Sequence, residues 1–217
     1  MPVTIICGHY GCGKTNLALN LTLEAAQSGP ATLVDMDVVN PYFRSSDYRQ
    51  ILKDSGVRLI APVFAGTTLD TPTLPPEVQS VFAPGAGQVF IDAGGDDAGA
   101  TALGGLSAGL DRAGYELIYV INRYRVLSQT PEECAALLGE IEAASRLKAT
   151  GIVNNSHLGV ETAWEDVRAS LPFAEATARA TGLPLLYSTV PDFALNGGEV
   201  PEGFRAVRRL VTFAWEQ

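Results

Sequence analysis

An octapeptide near the amino end constrains this chain more than anything else in it. Gly8-His9-Tyr10-Gly11-Cys12-Gly13-Lys14-Thr15 follows the apolar run Val3–Cys7 and opens the Leu- and Ala-rich stretch Lys14–Ser28. The pattern G-x-x-x-x-G-K-[ST] between a strand and a helix is a phosphate loop. Its glycines let backbone N–H groups turn inward around an anionic chain, and the helix N-terminus adds its dipole. Lys14 then reaches the β- and γ-phosphates, and the Thr15 hydroxyl ligates Mg²⁺. The candidate nucleotide-binding segment is therefore Gly8, His9, Tyr10, Gly11, Cys12, Gly13, Lys14 and Thr15, with Asn16 directly behind it.

Short runs rich in Val and Ile alternate with longer Ala- and Leu-rich segments, the pattern of strands separated by covering helices. Strands are predicted at Val3–Cys7, Thr32–Met36, Arg58–Pro62, Val89–Asp92, Leu117–Asn122, Gly151–Asn154 and Leu185–Val190. Helices are predicted at Lys14–Ser28, Ser46–Ser55, Leu103–Ala113, Pro131–Arg146, Glu161–Thr181 and Gly203–Glu216, with Thr130 as cap of the fourth and Pro131 in its first turn. Thr67–Pro76, with three prolines, reads as a loop. The expected fold is α/β: a doubly wound, mostly parallel sheet with helices on both faces, as one P-loop nucleotide-binding domain over residues 1–217.

Two acidic segments fall at the carboxyl ends of predicted strands, where such folds bind ligands. One is Asp35-Met-Asp37 and the other Asp92-Ala-Gly94-Gly95. Mg²⁺ takes one or two carboxylates, often through water, together with phosphate oxygens. Asp92 fits the metal shell, and Asp37 fits a residue orienting the attacking water or the outer shell of the metal. Thr15, Asp37 and Asp92 are thus the candidate metal residues.

Taken together, the loop Gly8–Thr15, Asp35-x-Asp37, Asp92-x-Gly94-Gly95, Gly151-Ile-Val-Asn154-Asn155 and Val190-Pro191-Asp192 resemble the MinD/ParA-type P-loop ATPases. That group includes nitrogenase iron protein and the nickel-insertion accessory ATPase of carbon monoxide dehydrogenase. The resemblance runs over nearly the whole chain. It is nearest to a branch with YGSGKT-like loops and a segment like Asp35-Met-Asp-Val-Val-Asn40-Pro41-Tyr42-Phe43-Arg44. It implies a slow Mg-ATPase that acts as a nucleotide-dependent, homodimerising switch on a protein partner. By the same resemblance Asp37 is the residue that helps orient water, Asp92 the switch carboxylate and Asn155 the reader of adenine, with Pro191 and Asp192 lining the base.

One departure stands out. The loop of that family reads K-G-G-x-G-K-[ST], and its first lysine reaches across a dimer to the partner's nucleotide, whereas His9 and Tyr10 stand at those first positions here. An arginine can supply such charge through a bidentate clamp. Arg44 is the first candidate for this catalytic role, beside Lys14, Asp37 and Asp92, and Arg123 and Arg125 stand behind it.

Acidic residues outnumber basic ones 24 to 15, for a net charge of -9, which disfavours nucleic-acid partners. The three cysteines lack C-x-x-C spacing and read as reduced thiols of a cytoplasmic protein. Cys7 should pack as a small hydrophobe, and Cys12 should be exposed with a thiol acidified by the helix N-terminus. No export or membrane-spanning segment is expected. The basic, amphipathic stretch Gly203–Glu216 reads as a helix docked on the sheet in preference to a membrane anchor. Tyr42-Phe43 could form an aromatic contact for a partner. A small-molecule kinase or ligase would share the loop and D-x-D and add an Arg-rich lid, for which Arg123-Tyr124-Arg125 is the only short basic cluster. A GTP-dependent metallochaperone would carry N-K-x-D, where this chain has Asn154-Asn155-Ser156-His157.

Overall fold

A computed structural model describes residues 3–36, 45–62, 76–83, 85–95 and 97–211. The first strand, β1 (Val3–Gly8), is apolar on both sides: Ile5 and Cys7 enter one core layer and Ile6 the other, all essentially without solvent exposure. Such a strand belongs in the interior of a sheet covered on both faces. The chain continues through α1 (Lys14–Ala26), β2 (Ala31–Met36), α2 (Arg49–Asp54), β3 (Arg58–Ile60), β4 (Gln88–Ala93), α3 (Asp97–Gly104), α4 (Ser107–Ala113) and β5 (Tyr115–Ile121). It then runs through α5 (Pro131–Ser145), β6 (Gly151–Asn154), α6 (Trp164–Ala169), α7 (Leu171–Thr181), β7 (Leu185–Pro191) and β8 (Phe204–Val207). Among the described residues the eight strands lie in one parallel sheet in the order β3-β2-β4-β1-β5-β6-β7-β8.

β1 is the point where chain order turns in opposite directions, with β4 and β2 on one side and β5, β6 and β7 on the other. Ligands bind outside the carboxyl ends of the strands at such a crevice. One face packs under α3, α4, α5 and α7 through Leu103, Leu110, Leu138 and Phe173. The other packs under α1 and α2 through Leu17, Leu21 and Leu52. This is the α/β P-loop nucleotide-binding fold the sequence predicts.

Three predicted helices are broken, each for a local reason. Leu103–Ala113 divides at Gly104-Gly105, where glycine carries the largest entropic cost of staying helical. Glu161–Thr181 divides at Ser170, ahead of Pro172, which has no N–H to continue the ladder. Ser170 Oγ instead donates to Val167 O at 2.6 Å. Ser46–Ser55 opens with a 3-10 turn, Ser45–Tyr48, before α2.

The predicted helix Gly203–Glu216 is overturned as far as Val211. Phe204–Val207 is β8, paired in parallel with the edge of β7, and residues 208–211 are not helical. Phe204 packs on the ring of Trp164 while Val207 enters the core beneath α1, a two-residue alternation. The backbone beyond it is taken up by α1: Asn20 donates to Arg208 O at 2.9 Å and accepts from Arg208 N at 2.8 Å. Unpaired strand edge and side-chain amides thus outcompete a helical stripe that has the right spacing. Among the described residues no helix is long and apolar enough to cross a membrane. The predicted loop Thr67–Pro76 lies, apart from Pro76, outside the described residues, as does Tyr42-Phe43.

α5 shows how local chemistry fixes an element. Thr130 accepts from Glu133 N at 3.2 Å while the Glu133 carboxylate accepts from Thr130 N at 3.1 Å, a reciprocal cap. Thr130→Ala is expected to cost about 1 kcal/mol, read as a lower urea midpoint at unchanged slope; an unchanged midpoint contradicts the assignment.

Candidate functional site

The loop leaves β1 at Gly8 and enters α1 at Lys14, so it stands at the carboxyl edge of the sheet between β4 and β5. Lys14 is buried and folds back over the loop, its Nζ donating to His9 O at 3.0 Å. Asn155, just past β6, donates from Nδ2 to Cys12 O at 2.7 Å and accepts from Thr189 Oγ1 on β7. Gly13 has φ +89°, and a Cβ there would stand 2.2 Å from Asn155 Nδ2. Only glycine fits that turn against that amide.

On the β4 side the loop meets carboxylates. Asp92 at the end of β4 and Asp35 at the end of β2 are register partners, and both are buried. Ser45 Oγ donates to Asp92 Oδ2 at 2.6 Å, and the Thr15 side chain is near enough to favour the charged form of this carboxylate. Burial first, and the Asp35 charge second, push the Asp92 carboxyl up to about 7, against the lowering effects of Ser45, Lys14 and Thr15. Gly95 comes so close that a Cβ on it would stand 2.7 Å from Lys14 Nζ. The Asp92-x-Gly94-Gly95 segment, Lys14 and Thr15 therefore share one side of the loop. Asp37 and Arg44 lie outside the described residues.

These groups fit a divalent cation. The Asp35 charge disfavours the charged form of Asp92, a cost that a dication beside them removes. Among the described residues no group of three or more His, Cys, Asp or Glu side chains could hold a metal by itself. Thr15 and Asp92 would hold Mg²⁺ jointly with phosphate oxygens and water, as this ion prefers. Asp35 and Ser45 join Asp92 here beyond the metal residues that the sequence predicts. Asp35 is the first acid of the D-x-D motif, and its role comes from its register with Asp92; Ser45 carries no motif at all.

On the β5 side a cleft of about 530 Å³, open mouth included, runs along the outside of the loop. Its walls include Cys12, Asn16, Asn122, Asn155, His157 and Pro191. Pro191 is buried at the end of β7, and Asp192 is exposed, its Oδ1 accepting from Phe193 N at 2.8 Å. Asn155, Pro191 and the loop are thus brought together, with Asp192 at the rim. Asn16 spends its amide on the chain after β8: Nδ2 donates to Arg208 O at 3.1 Å and Oδ1 accepts from Leu210 N at 2.8 Å. Tyr10 is exposed on the loop, and His9 titrates below its usual range because of burial and the nearby Lys14 charge.

Cys12 is a correction. It is fully buried, in the layer that holds Ile6, Leu17 and Val120, and burial pushes its thiol up in spite of the opposing Lys14 charge and backbone N–H. Desolvation outweighs the helix N-terminus, so this is no exposed, acidified thiol. Cys7 and Cys134 are buried and free as well.

Fold and loop together define an α/β P-loop nucleotide-binding architecture. No protein-family model matches the sequence, and no curated protein matches it. Solved structures do. The cell division protein FtsY from Thermotoga maritima matches 88% of this chain and 62% of its own at 18% identity, TM-score 0.54. The signal recognition particle 54 kDa protein from Aeropyrum pernix, solved with GDP, matches 86% of this chain and 41% of its own at 16% identity, TM-score 0.54. Chloroplast FtsY from Physcomitrella patens matches 87% and 58% at 14% identity, TM-score 0.57. The chain spans less than two thirds of the length of these proteins, and the likeness is one of fold.

His157 gives the cleft a measurable property. Its Nε2 lies 3.1 Å from Thr189 O, and burial holds the imidazole down to about 4 from 6.5. The folded protein therefore keeps His157 neutral while the unfolded chain protonates it, so this contribution is present above pH 6.5 and is lost as pH falls toward 4. Over that window the wild type is expected to lose up to about 3 kcal/mol more stability than His157→Gln. Parallel stability curves in urea titrations at pH 6.5, 5.5 and 4.5 contradict this.

Proposed function

We propose that this chain binds Mg-ATP in the Gly8–Thr15 loop and hydrolyses it slowly, as a cytoplasmic nucleotide-dependent switch that homodimerises and acts on a protein partner. The observation that carries the reading is the convergence of Lys14, Thr15, Asp92 and Gly95 on one side of that loop. Lysine and loop N–H groups neutralise the phosphates, and the Thr15 and Asp92 oxygens orient the metal's shell. Asp37 orients the attacking water and Arg44 adds charge to the γ-phosphate.

The preference for adenine rests on the end of β6, where Asn154-Asn155-Ser156-His157 replaces N-K-x-D. An asparagine amide has two N–H donors and an oxygen with two lone pairs. Asn155 gives one N–H to Cys12 O and one lone pair to Thr189, so its second N–H is the group for the base, with Pro191 packed beside it. The GDP found with the Aeropyrum protein makes guanine the natural competitor in any test.

Lys14→Ala is expected to weaken ATP binding at least tenfold while leaving circular dichroism unchanged, because it removes a phosphate contact and, within the fold, only the bond to His9 O. Wild-type ATP affinity in that variant removes the loop from the site. Asp92→Asn is expected to lower Mg²⁺-dependent turnover more than ATP affinity, since metal charge counts most as the transition state forms. Equal loss in both assigns Asp92 to structure. In competition binding ATP should displace a bound nucleotide at lower concentration than GTP; the reverse order overturns the adenine reading.

A further inference from the structure

The turn between β5 and α5 is pinned on every side. Arg125 N donates to Asn122 O at 3.1 Å, Tyr124 N to Asn122 Oδ1 at 3.0 Å, Ser128 Oγ to Asn122 O at 3.0 Å and Arg123 N to Ser156 Oγ at 3.1 Å. Leu127 is held at φ 65°, where leucine is rarely found. The flanking side chains serve the scaffold. Arg123 Nη1 donates to Ala169 O at 2.7 Å with its guanidinium over the Tyr124 ring, and Tyr124 OH donates to Asp166 O at 2.9 Å.

Arg125 is different. Its side chain leaves this rigid turn and lies along the phosphate loop, Cδ and Nε each 3.7 Å from where a Cβ on Gly11 would stand. It lines the cleft together with Cys12, Gly13 and Asn155. Its Nε is buried and has no hydrogen-bond partner. Among the described residues the other buried side-chain nitrogen without a partner is His9 Nδ1, on the same loop. A buried donor left without an acceptor costs free energy, and more so on a cation. The Arg125 Nε donor, unpaired beside a glycine-rich loop, marks a place that a ligand completes.

The complement of a guanidinium donor beside inward-turning N–H groups is an anionic oxygen. Resting on the nucleotide-binding reading above, we propose that Arg125 is a phosphate-contacting residue supplied in cis by the β5–α5 turn, its guanidinium reaching past Gly11 to a phosphate oxygen of the bound nucleotide. Because the turn is already ordered, little further ordering is needed when the ligand arrives. The chain thereby carries a further cation for the phosphates, besides Lys14 and the Arg44 of the proposed function.

The test compares wild type, Arg125→Gln, Arg125→Lys and, as a surface control, Arg179→Ala. It measures equilibrium binding of fluorescent ATP and its displacement by inorganic pyrophosphate. Arg125→Gln is expected to weaken both ligands by roughly ten- to a hundred-fold, the loss of one charge-assisted bond. Arg125→Lys should recover part of this, since it restores the charge without the fork. Melting temperatures stay together, Arg179→Ala matches wild type, and the salt dependence of ATP binding is shallower in Arg125→Gln. Three results overturn the inference: wild-type affinity for both ligands in Arg125→Gln; weaker ATP with unchanged pyrophosphate, which moves the contact to the nucleoside; and losses that track melting temperature equally in Gln and Lys variants. A wild-type protein that binds no ATP, GTP or pyrophosphate overturns the nucleotide reading itself, and Arg125 falls with it.

Discussion

The amide of Asn155 ties the middle of the phosphate loop to two strands at once, to β6 through the main chain and to β7 through Thr189. Without that brace the Cys12 carbonyl, turned away from the phosphate side, would need another partner or face a desolvation cost of about 1–3 kcal/mol. With it, that carbonyl is satisfied from outside the loop. Gly13 is the sequence counterpart of the brace, because a side chain there would collide with the amide. The shape of the loop is therefore set by a contact between residues 143 positions apart.

That fixed loop divides the carboxyl edge of the sheet into two chemical regions. Toward β4 and β2 lie the buried carboxylates, with Ser45, Thr15 and Lys14 around Asp92. Toward β5, β6 and β7 lies the cleft with Asn155, His157 and Pro191 and no carboxylate among the residues that line it. β1 is the divider because the strand order turns there in both directions. A phosphate–metal end and a nucleoside end follow from topology, and the side chains on each side suit those ends.

Legibility in the sequence followed the range of the interactions. The loop, its strand and its helix were readable because Gly8, Gly13, Lys14 and Thr15 are near neighbours, and the cap of α5 was readable from Thr130 and Pro131. The predicted helix Gly203–Glu216 misled because its apolar residues satisfy a helical period, while the edge of β7 and the amides of Asn16 and Asn20 that claim this segment are remote in sequence. Cys12 misled for a similar reason. Position in a loop suggests exposure, but the thiol turns inward, 3.0 Å from where a Cβ on Gly8 would lie. Asn155 was found as a motif position, yet its work as a brace has no local signature, and the pairing of Asp35 with Asp92 needs the register of two strands.

The measurement that tests the central claim most directly is a crystal structure of the chain with Mg²⁺ and a non-hydrolysable ATP analogue. The account predicts phosphates inside the Gly8–Thr15 loop, Lys14 Nζ moved from His9 O to the phosphate chain, Thr15 and Asp92 around the metal, and the Asn155 bond to Cys12 O unchanged. A nucleotide bound elsewhere, or a loop that rearranges by breaking the Asn155 brace, contradicts it.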